Sequence, residues 1–266
     1  GVGIYQFAAD TVPVIEIEEI IVGTKDMSFE DYVDCRVMNL IVETYYNNAV
    51  FDEVFAALRA MEVSIFDFLV FLHQHDELYT LRMKEIIASF VQQTKDDLYD
   101  SREEAETYAM HPESLPKFIS GELDSNELLG HQAKLYSELE DVLTVLISTV
   151  KAFLTEHGLL NDDASDYFDQ IQVFTLLRKQ QIHDPELNLC SRFSYDFASI
   201  SALNYEIDPR YVGRADYAVD LRFFHTPDQQ DHIRHAVELW GNHSGGIGRM
   251  FQRSNLKMMY RHFEPV

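Results

Sequence analysis

The chain has 266 residues, of which 46% are hydrophobic, and its formal net charge at pH 7 is −24. This length and composition allow a substantial hydrophobic core and exclude a disordered chain. The negative charge argues against nucleic acid as the main partner and against a polybasic membrane anchor, because both need a basic surface. The longest apolar run, Ser64 to Leu72, falls short of the roughly 18 residues of a membrane-spanning helix.

Cysteine usage and the first residues bear on location and origin. Cys35 and Cys190 are the two cysteines, too few for a disulfide framework, so we expect a cytoplasmic protein. Two thiols alone cannot hold an iron–sulfur cluster. The chain opens on Gly1 and shows no signal-peptide pattern, which we interpret as a piece of a longer protein.

The first predicted elements are a strand and a capped helix. Residues 14–22, VIEIEEIIV, alternate apolar and acidic side chains and predict a strand. Ser28 at the N-cap and Asp31 at the third helical position predict the start of a helix. Hydrophobic spacing predicts further helices at 51–61, 64–74, 78–98 and 101–110.

A helical hairpin is predicted next. A long helix should run from about Ser125 to His157, with Asp124 and Glu127 as its capping box and Gly158 as its stop signal. A partner helix from about Ala164 to Ile182 returns antiparallel to it.

After Pro185 the apolar period changes to two. Residues 191–197 and 216–224 alternate apolar and polar side chains, which predicts antiparallel strands with one solvent-exposed face. A helix from about Thr226 to Trp240 and a short last helix follow. The predicted fold class is α+β and helix-dominated, with a small antiparallel sheet of about three strands, built from the first strand and the two late ones. We expect residues 1–266 to form a single helix-rich domain, with 1–120 and 121–266 as its sub-parts if it divides.

The sharpest group of candidate metal ligands is His73, His75 and Glu77 in the stretch HQHDE. On a helix, His73 and Glu77 share a face, which suits two ligands of a transition metal, and His111 or His131 could supply a third. The alternative is a polar helix C-terminus, where histidine suits the helix dipole. We favour this alternative because no His-x-x-x-His or Glu-x-x-His pair completes a site.

A second candidate is the glycine-rich stretch HSGGIGRMFQR before a short helix. Gly245, Gly246 and Gly248 could offer backbone N–H groups to an anion, with Arg249 or Arg253 assisting. The stretch matches neither Gly-x-Gly-x-x-Gly nor a Walker motif. A helix–helix turn that uses glycine for positive φ is the favoured interpretation. No nucleophile signature is present, so no catalytic residue is assigned.

The segment from Glu16 to Asn48 carries two motifs in series. It reads Ile21-Val22-Gly23-Thr24 and then Met27-Ser28-Phe29-Glu30-Asp31 before a helix. This segment resembles the one that follows the catalytic barrel in cobalamin-binding radical SAM enzymes, where I-V-x-x-T leads to M-S-x-E-D or M-S-x-E-x-W. The chain has one residue fewer before its threonine than the first of these motifs. The next stretch, MEVSIFDFLVFLHQ, is similar to the family's following helical segment. The late strand fits the family's F-x-Y-D-F type through Phe193, Tyr195, Asp196 and Phe197.

The resemblance implies a non-catalytic C-terminal accessory domain. The family's Cys-x-x-x-Cys-x-x-Cys and its cobalamin-binding Asp-x-His-x-x-Gly are absent from the chain. A [4Fe-4S] cluster, S-adenosylmethionine and cobalamin would therefore be bound elsewhere in a parent radical SAM enzyme. The implied partners are the radical SAM and cobalamin-binding domains of that parent, with no nucleic acid and no membrane. The domain would cover the barrel and help form the substrate site or a partner surface.

Two other functions stay open. One is an autonomous helical metal- or ligand-binding domain that uses His73, His75 and Glu77. The other is an interaction module whose acidic surface meets a basic partner.

Overall fold

The computed structural model describes residues 2–8, 10–120 and 126–266. The α-helices are α1 (Phe29–Val42), α2 (Asp52–Ala60), α3 (Ile65–Gln74), α4 (Leu81–Asp96), α5 (Arg102–Met110), α6 (Leu115–Ser120), α7 (Glu127–Ser137), α8 (Leu139–Glu156), α9 (Asp162–Lys179), α10 (Phe197–Ala202), α11 (Pro227–Trp240), α12 (Ser244–Arg253) and α13 (Leu256–Met259). The strands are β1 (Val2–Phe7), β2 (Asp10–Ile15), β3 (Leu189–Phe193), β4 (Val219–Phe224) and β5 (His262–Pro265).

The predicted fold class is confirmed: helices dominate, and β3, β4 and β5 form a small antiparallel sheet in that order. The chain divides into two compact units. Unit 1 comprises Gly1–Val37 and Ile87–His131, and unit 2 comprises Met38–Ile86 and Gln132–Val266. No helix in the described ranges combines the length and apolarity that crossing a bilayer requires.

Unit 1 begins with a two-stranded hairpin that the sequence pattern did not predict. β1 pairs antiparallel with β2, in a register from Val2↔Ile15 to Phe7↔Asp10. The predicted strand at 14–22 is wrong beyond Ile15, because residues 16–22 have no strand partner within the described ranges. Alternation of side chains is not sufficient for a strand, since the backbone N–H and C=O groups need a neighbouring strand.

The predicted start of α1 is confirmed. Ser28 Oγ accepts a hydrogen bond from the Asp31 amide at 3.1 Å, and Asp31 Oδ2 accepts one from the Ser28 amide at 2.8 Å. These two bonds form a reciprocal capping box, which satisfies two backbone donors that the helix cannot pair itself. The bonds from Ser28 also hold the pKa of Asp31 below its ordinary value.

The predicted long helix is interrupted at Glu138, which separates α7 from α8. Glu138 has φ −106° and ψ 44°, outside the helical region, and its carboxylate accepts a hydrogen bond from Arg82 Nε at 3.0 Å. The proposed cap Asp124 lies outside the described residues; Asn126 Oδ1 accepts from the Leu129 amide at 3.0 Å. Gly158, with φ 66°, follows the end of α8, as predicted.

The sheet of unit 2 packs against α9. Phe174 on α9 contacts an aromatic residue on each of the three strands, with ring centroids 4.9–6.0 Å apart: Phe193, Phe223 and Phe263. The third strand is β5, and not the first strand of the chain as predicted. β3 also ends at Phe193 instead of continuing to Phe197, because Asp196 Oδ1 accepts from the amides of Ala198 and Ser199 and caps α10.

Candidate functional site

The three candidate metal ligands do not share one helical face. His73 lies in the last turn of α3, which ends at Gln74, so the four-residue spacing to Glu77 no longer aligns the two side chains. His75 Nδ1 lies 2.9 Å from the Phe71 carbonyl oxygen, and its ring stacks on that of Phe71 at 3.7 Å. Glu77 is exposed in a 3₁₀ turn at Asp76–Leu78. Across the described ranges, no three His, Cys, Asp or Glu side chains are grouped to hold a metal ion.

The glycines of the candidate anion site lie inside α12 and not in the turn before it. A Cβ on Gly248 would overlap the backbone and side chain of Ala133, and one on Gly246 would overlap the carbonyl oxygens of Trp240 and Gly241. These two glycines therefore permit close packing of α12.

The polar side chains of this segment lie at the N-terminus of α12 and on its exposed face. His243 caps α12, and its Nδ1 accepts the hydrogen bond of the Gly246 amide at 3.3 Å. Gly245, Arg249 and Arg253 are exposed. The arginines are four residues apart and form a basic spot on the exposed face of α12.

A buried group of charged side chains in unit 2 centres on Glu53. Its Oε2 accepts a hydrogen bond from Lys179 Nζ at 2.6 Å, and its Oε1 accepts one from Arg178 at 3.2 Å. Lys179, only 1% exposed, also donates to the Val50 carbonyl oxygen at 2.5 Å. The group joins α2 to α9, and its partners occupy the oxygens that a ligand would need.

The pKa values of this group follow from burial and charge. Burial acts to raise the pKa of Glu53, but the positive charges of Lys179 and Arg178 outweigh it and hold that pKa below its ordinary value. Burial lowers the pKa of Lys179, although Glu53 acts in the opposite direction. We interpret the group as a structural cross-link.

Unit 1 contains a cavity of about 700 Å³, a volume typical of small-molecule sites. Its walls come from Val2 and Ile15 of the hairpin, the segment after β2, the C-terminal end of α4, the helices α5 and α6, and the start of α7. Its acidic lining residues are Glu16, Glu18, Asp96, Asp97 and Glu127, and its aromatic ones are Tyr99, Tyr108 and Phe118. We call it the acidic cavity. Sequence reasoning missed it, because its lining residues, from Val2 to Glu127, come from segments that are far apart in the chain.

A second surface of unit 1 is the hairpin of β1 and β2, whose apolar side chains are largely uncovered. Phe7 is 78% exposed, Tyr5 52% and Ile4 49%, and Val12 and Val14 on the other strand are also exposed. The signal for this surface was present in the sequence as the apolar residues around Phe7. The predicted single strand at 14–22 did not include the residues around Phe7.

No family model, curated protein or solved structure matches the chain. The resemblance of Glu16 to Asn48 to the radical SAM family therefore stays a prediction.

Proposed function

We propose that this chain is a non-catalytic accessory domain that docks on a protein partner through the hairpin of β1 and β2. The exposure of its apolar side chains carries the proposal. Within the described residues the hairpin pairs with no further strand, although α6 contacts β1. A two-stranded hairpin is only marginally stable on its own in water, and uncovered apolar side chains beside unpaired strand edges are a surface for pairing with another protein.

The partner we propose is the catalytic part of a cobalamin-dependent radical SAM enzyme. This choice is supported by the motifs in Glu16 to Asn48, which directly follow the hairpin and resemble the segment after the barrel in that family. The cytoplasm is the proposed location, which the two free cysteines support.

The residues of this chain do not fit the family's cofactors. Cys35 and Cys190 are both exposed, belong to different units, and are fewer than the three cysteines that the family's cluster motif needs. In this proposal the cluster, S-adenosylmethionine and cobalamin are bound by the partner, and this chain supplies a covering surface.

The first test is the DNA that flanks the coding region of this chain. The proposal requires a Cys-x-x-x-Cys-x-x-Cys motif in frame upstream or in an adjacent gene. Absence of that motif from both places would refute the radical SAM partner.

The second test is a binding assay between this chain and the separately expressed radical SAM and cobalamin-binding portion. Burying one large apolar side chain contributes about 1.5–3 kcal/mol, so the double variant Tyr5→Ser/Phe7→Ser should weaken binding by roughly 100-fold or more. The control is Phe66→Ser/Tyr217→Ser, which removes two aromatic side chains of unit 2 that are together more exposed than Tyr5 and Phe7. Equal binding by the hairpin variant and the control would contradict docking through the hairpin.

A further inference from the structure

The acidic cavity of unit 1 has an aromatic wall. The rings of Tyr99 and Tyr108 lie 5.6 Å apart, and those of Tyr108 and Phe118 lie 6.1 Å apart in an edge-to-face arrangement. These three adjoining rings line the cavity, and aromatic rings combine apolar surface with a negative π-face. Such a wall attracts an organic cation, which a ring binds best at about 6 Å or less from its centroid.

The charge around the cavity is negative. Glu127 is paired with Arg36. Asp96 and Asp97 accept hydrogen bonds from the neutral side chains of Gln92 and Gln93, at 2.7 and 3.2 Å. Within the described residues, no lysine or arginine forms an ion pair with Glu18, Asp96 or Asp97.

The environment of Asp97 agrees with this charge distribution. Partial burial of the carboxyl group raises the pKa of Asp97, and the nearby carboxylates of Glu127 and Asp96 act in the same direction. The hydrogen bond from Gln93 opposes the rise without cancelling it. A cation placed in the cavity would relieve this repulsion.

An inorganic cation fits the cavity less well than an organic one. No three carboxylates of the described ranges lie close enough together to coordinate a metal ion. A hard cation such as Mg²⁺ also prefers oxygen ligands to aromatic faces. Separated carboxylates beside a ring wall suit a cation whose charge is carried on an apolar body.

The geometry points to a binding site for a small organic cation, an amine or quaternary ammonium compound, in the acidic cavity. Its charge would face the carboxylates and its alkyl groups would contact Tyr99, Tyr108 and Phe118. Val2 and Ile15 of the hairpin also line the cavity, but the binding of a small cation needs no partner protein. Either proposal can therefore fail while the other stands.

The test is a titration of the whole chain with choline at low salt, followed by calorimetry, alongside its neutral isostere 3,3-dimethylbutan-1-ol. We expect choline to bind with one site per chain, and the isostere to bind at least about tenfold more weakly because it has no charge. Binding should also weaken between about 20 and 200 mM salt, as screening increases.

Two variants assign the binding to the cavity. Tyr108→Leu keeps an apolar side chain and removes the π-face, and should weaken choline binding by about threefold or more. Asp97→Asn removes one negative charge and should also weaken it. The matched controls are Tyr211→Leu, an exposed tyrosine of unit 2, and Glu103→Gln, an exposed carboxylate on α5 that does not line the cavity. Circular dichroism checks that every variant is folded.

Three results would overturn the inference. The first is no choline binding up to about 10 mM, and the second is equal affinity for choline and its isostere. The third is displacement of choline by Mg²⁺ together with unchanged binding by Tyr108→Leu, which would indicate a diffuse acidic surface.

Discussion

Replacing Glu53 by glutamine tests whether the buried charged group stabilises unit 2. The substitution keeps the shape of the side chain and removes its charge. Lys179 then remains almost fully buried with the Val50 carbonyl as its neutral partner, and Arg178 keeps the Tyr205 hydroxyl at 3.1 Å. Two positive charges would share a site from which their counter-charge has been removed.

The expected cost follows from the burial of the group. Removing one partner of a buried ion pair typically costs about 3–5 kcal/mol, because the other charge is left uncompensated. With a urea dependence of about 2 kcal/mol per molar for a unit of this size, a loss of about 4 kcal/mol lowers the unfolding midpoint by roughly 2 M. The exposed pair of Arg192 and Asp220, at 2.8 Å, contributes less than about 1 kcal/mol.

Fluorescence of Trp240 reports the unfolding of unit 2, because it is the single tryptophan of the chain and belongs to that unit. Asp220→Asn is the control and should shift the midpoint by less than about 0.5 M. The double variant Glu53→Gln/Lys179→Met should recover much of the loss, since it removes the stranded charge. Equal midpoints for Glu53→Gln and Asp220→Asn would refute the assignment of a structural cross-link.

Three further predictions concern unit 2 and use the same fluorescence assay. Gly248→Ala should destabilise the unit by about 1–3 kcal/mol, because the added methyl group overlaps Ala133. Gly245→Ala, at an exposed position of the same helix, should be neutral or stabilising. Equal effects of the two substitutions on stability would contradict the packing role of Gly248. Arg261→Met should lower the free energy of unfolding by on the order of 3 kcal/mol, because it leaves buried carbonyl oxygens without hydrogen-bond donors. A decrease below about 1 kcal/mol would contradict this. The pKa of Glu53 in the folded unit lies below its ordinary value of 4.5. Ionised Glu53 therefore contributes its full stabilisation of the folded unit above about pH 4.5, and this contribution is lost as the pH falls through the folded pKa. Glu53→Gln should therefore flatten the acid side of the stability profile, and an unchanged acid dependence would argue against it.

The sequence predicted best those features that depend on a few neighbouring residues. The capping box at Ser28 is local and is present in the structure. The helix predicted at 64–74 is also present, with Ser64 as its N-cap. Thr226 likewise forms a capping box with Gln229, at the predicted start of α11. Short-range hydrogen bonds decide where these helices begin, so the local sequence is enough to predict their first residues.

Features that depend on distant partners were not predicted. The break at Glu138 follows a helix whose Tyr136 hydroxyl donates to the Thr44 carbonyl at 3.0 Å, a partner 92 positions away. β5 takes the place expected for the first strand: it pairs with β4, and its Phe263 packs against Phe174 on α9, a residue 89 positions earlier in the chain. The acidic cavity likewise forms only when separated segments come together.

Arg261 has a consequence for how unit 2 acquires its structure. The guanidinium is fully buried and donates to four backbone carbonyls, those of Leu177, Gln180, Gln181 and Leu187. Burial lowers its pKa to about 10, so it stays charged at neutral pH. These hydrogen bonds join residues that are 74–84 positions apart in the chain. They therefore form slowly compared with the helices, whose hydrogen bonds are local. Until residues 261–265 are in place, β4 keeps an open edge that a second chain can pair with, so folding and aggregation compete at this step.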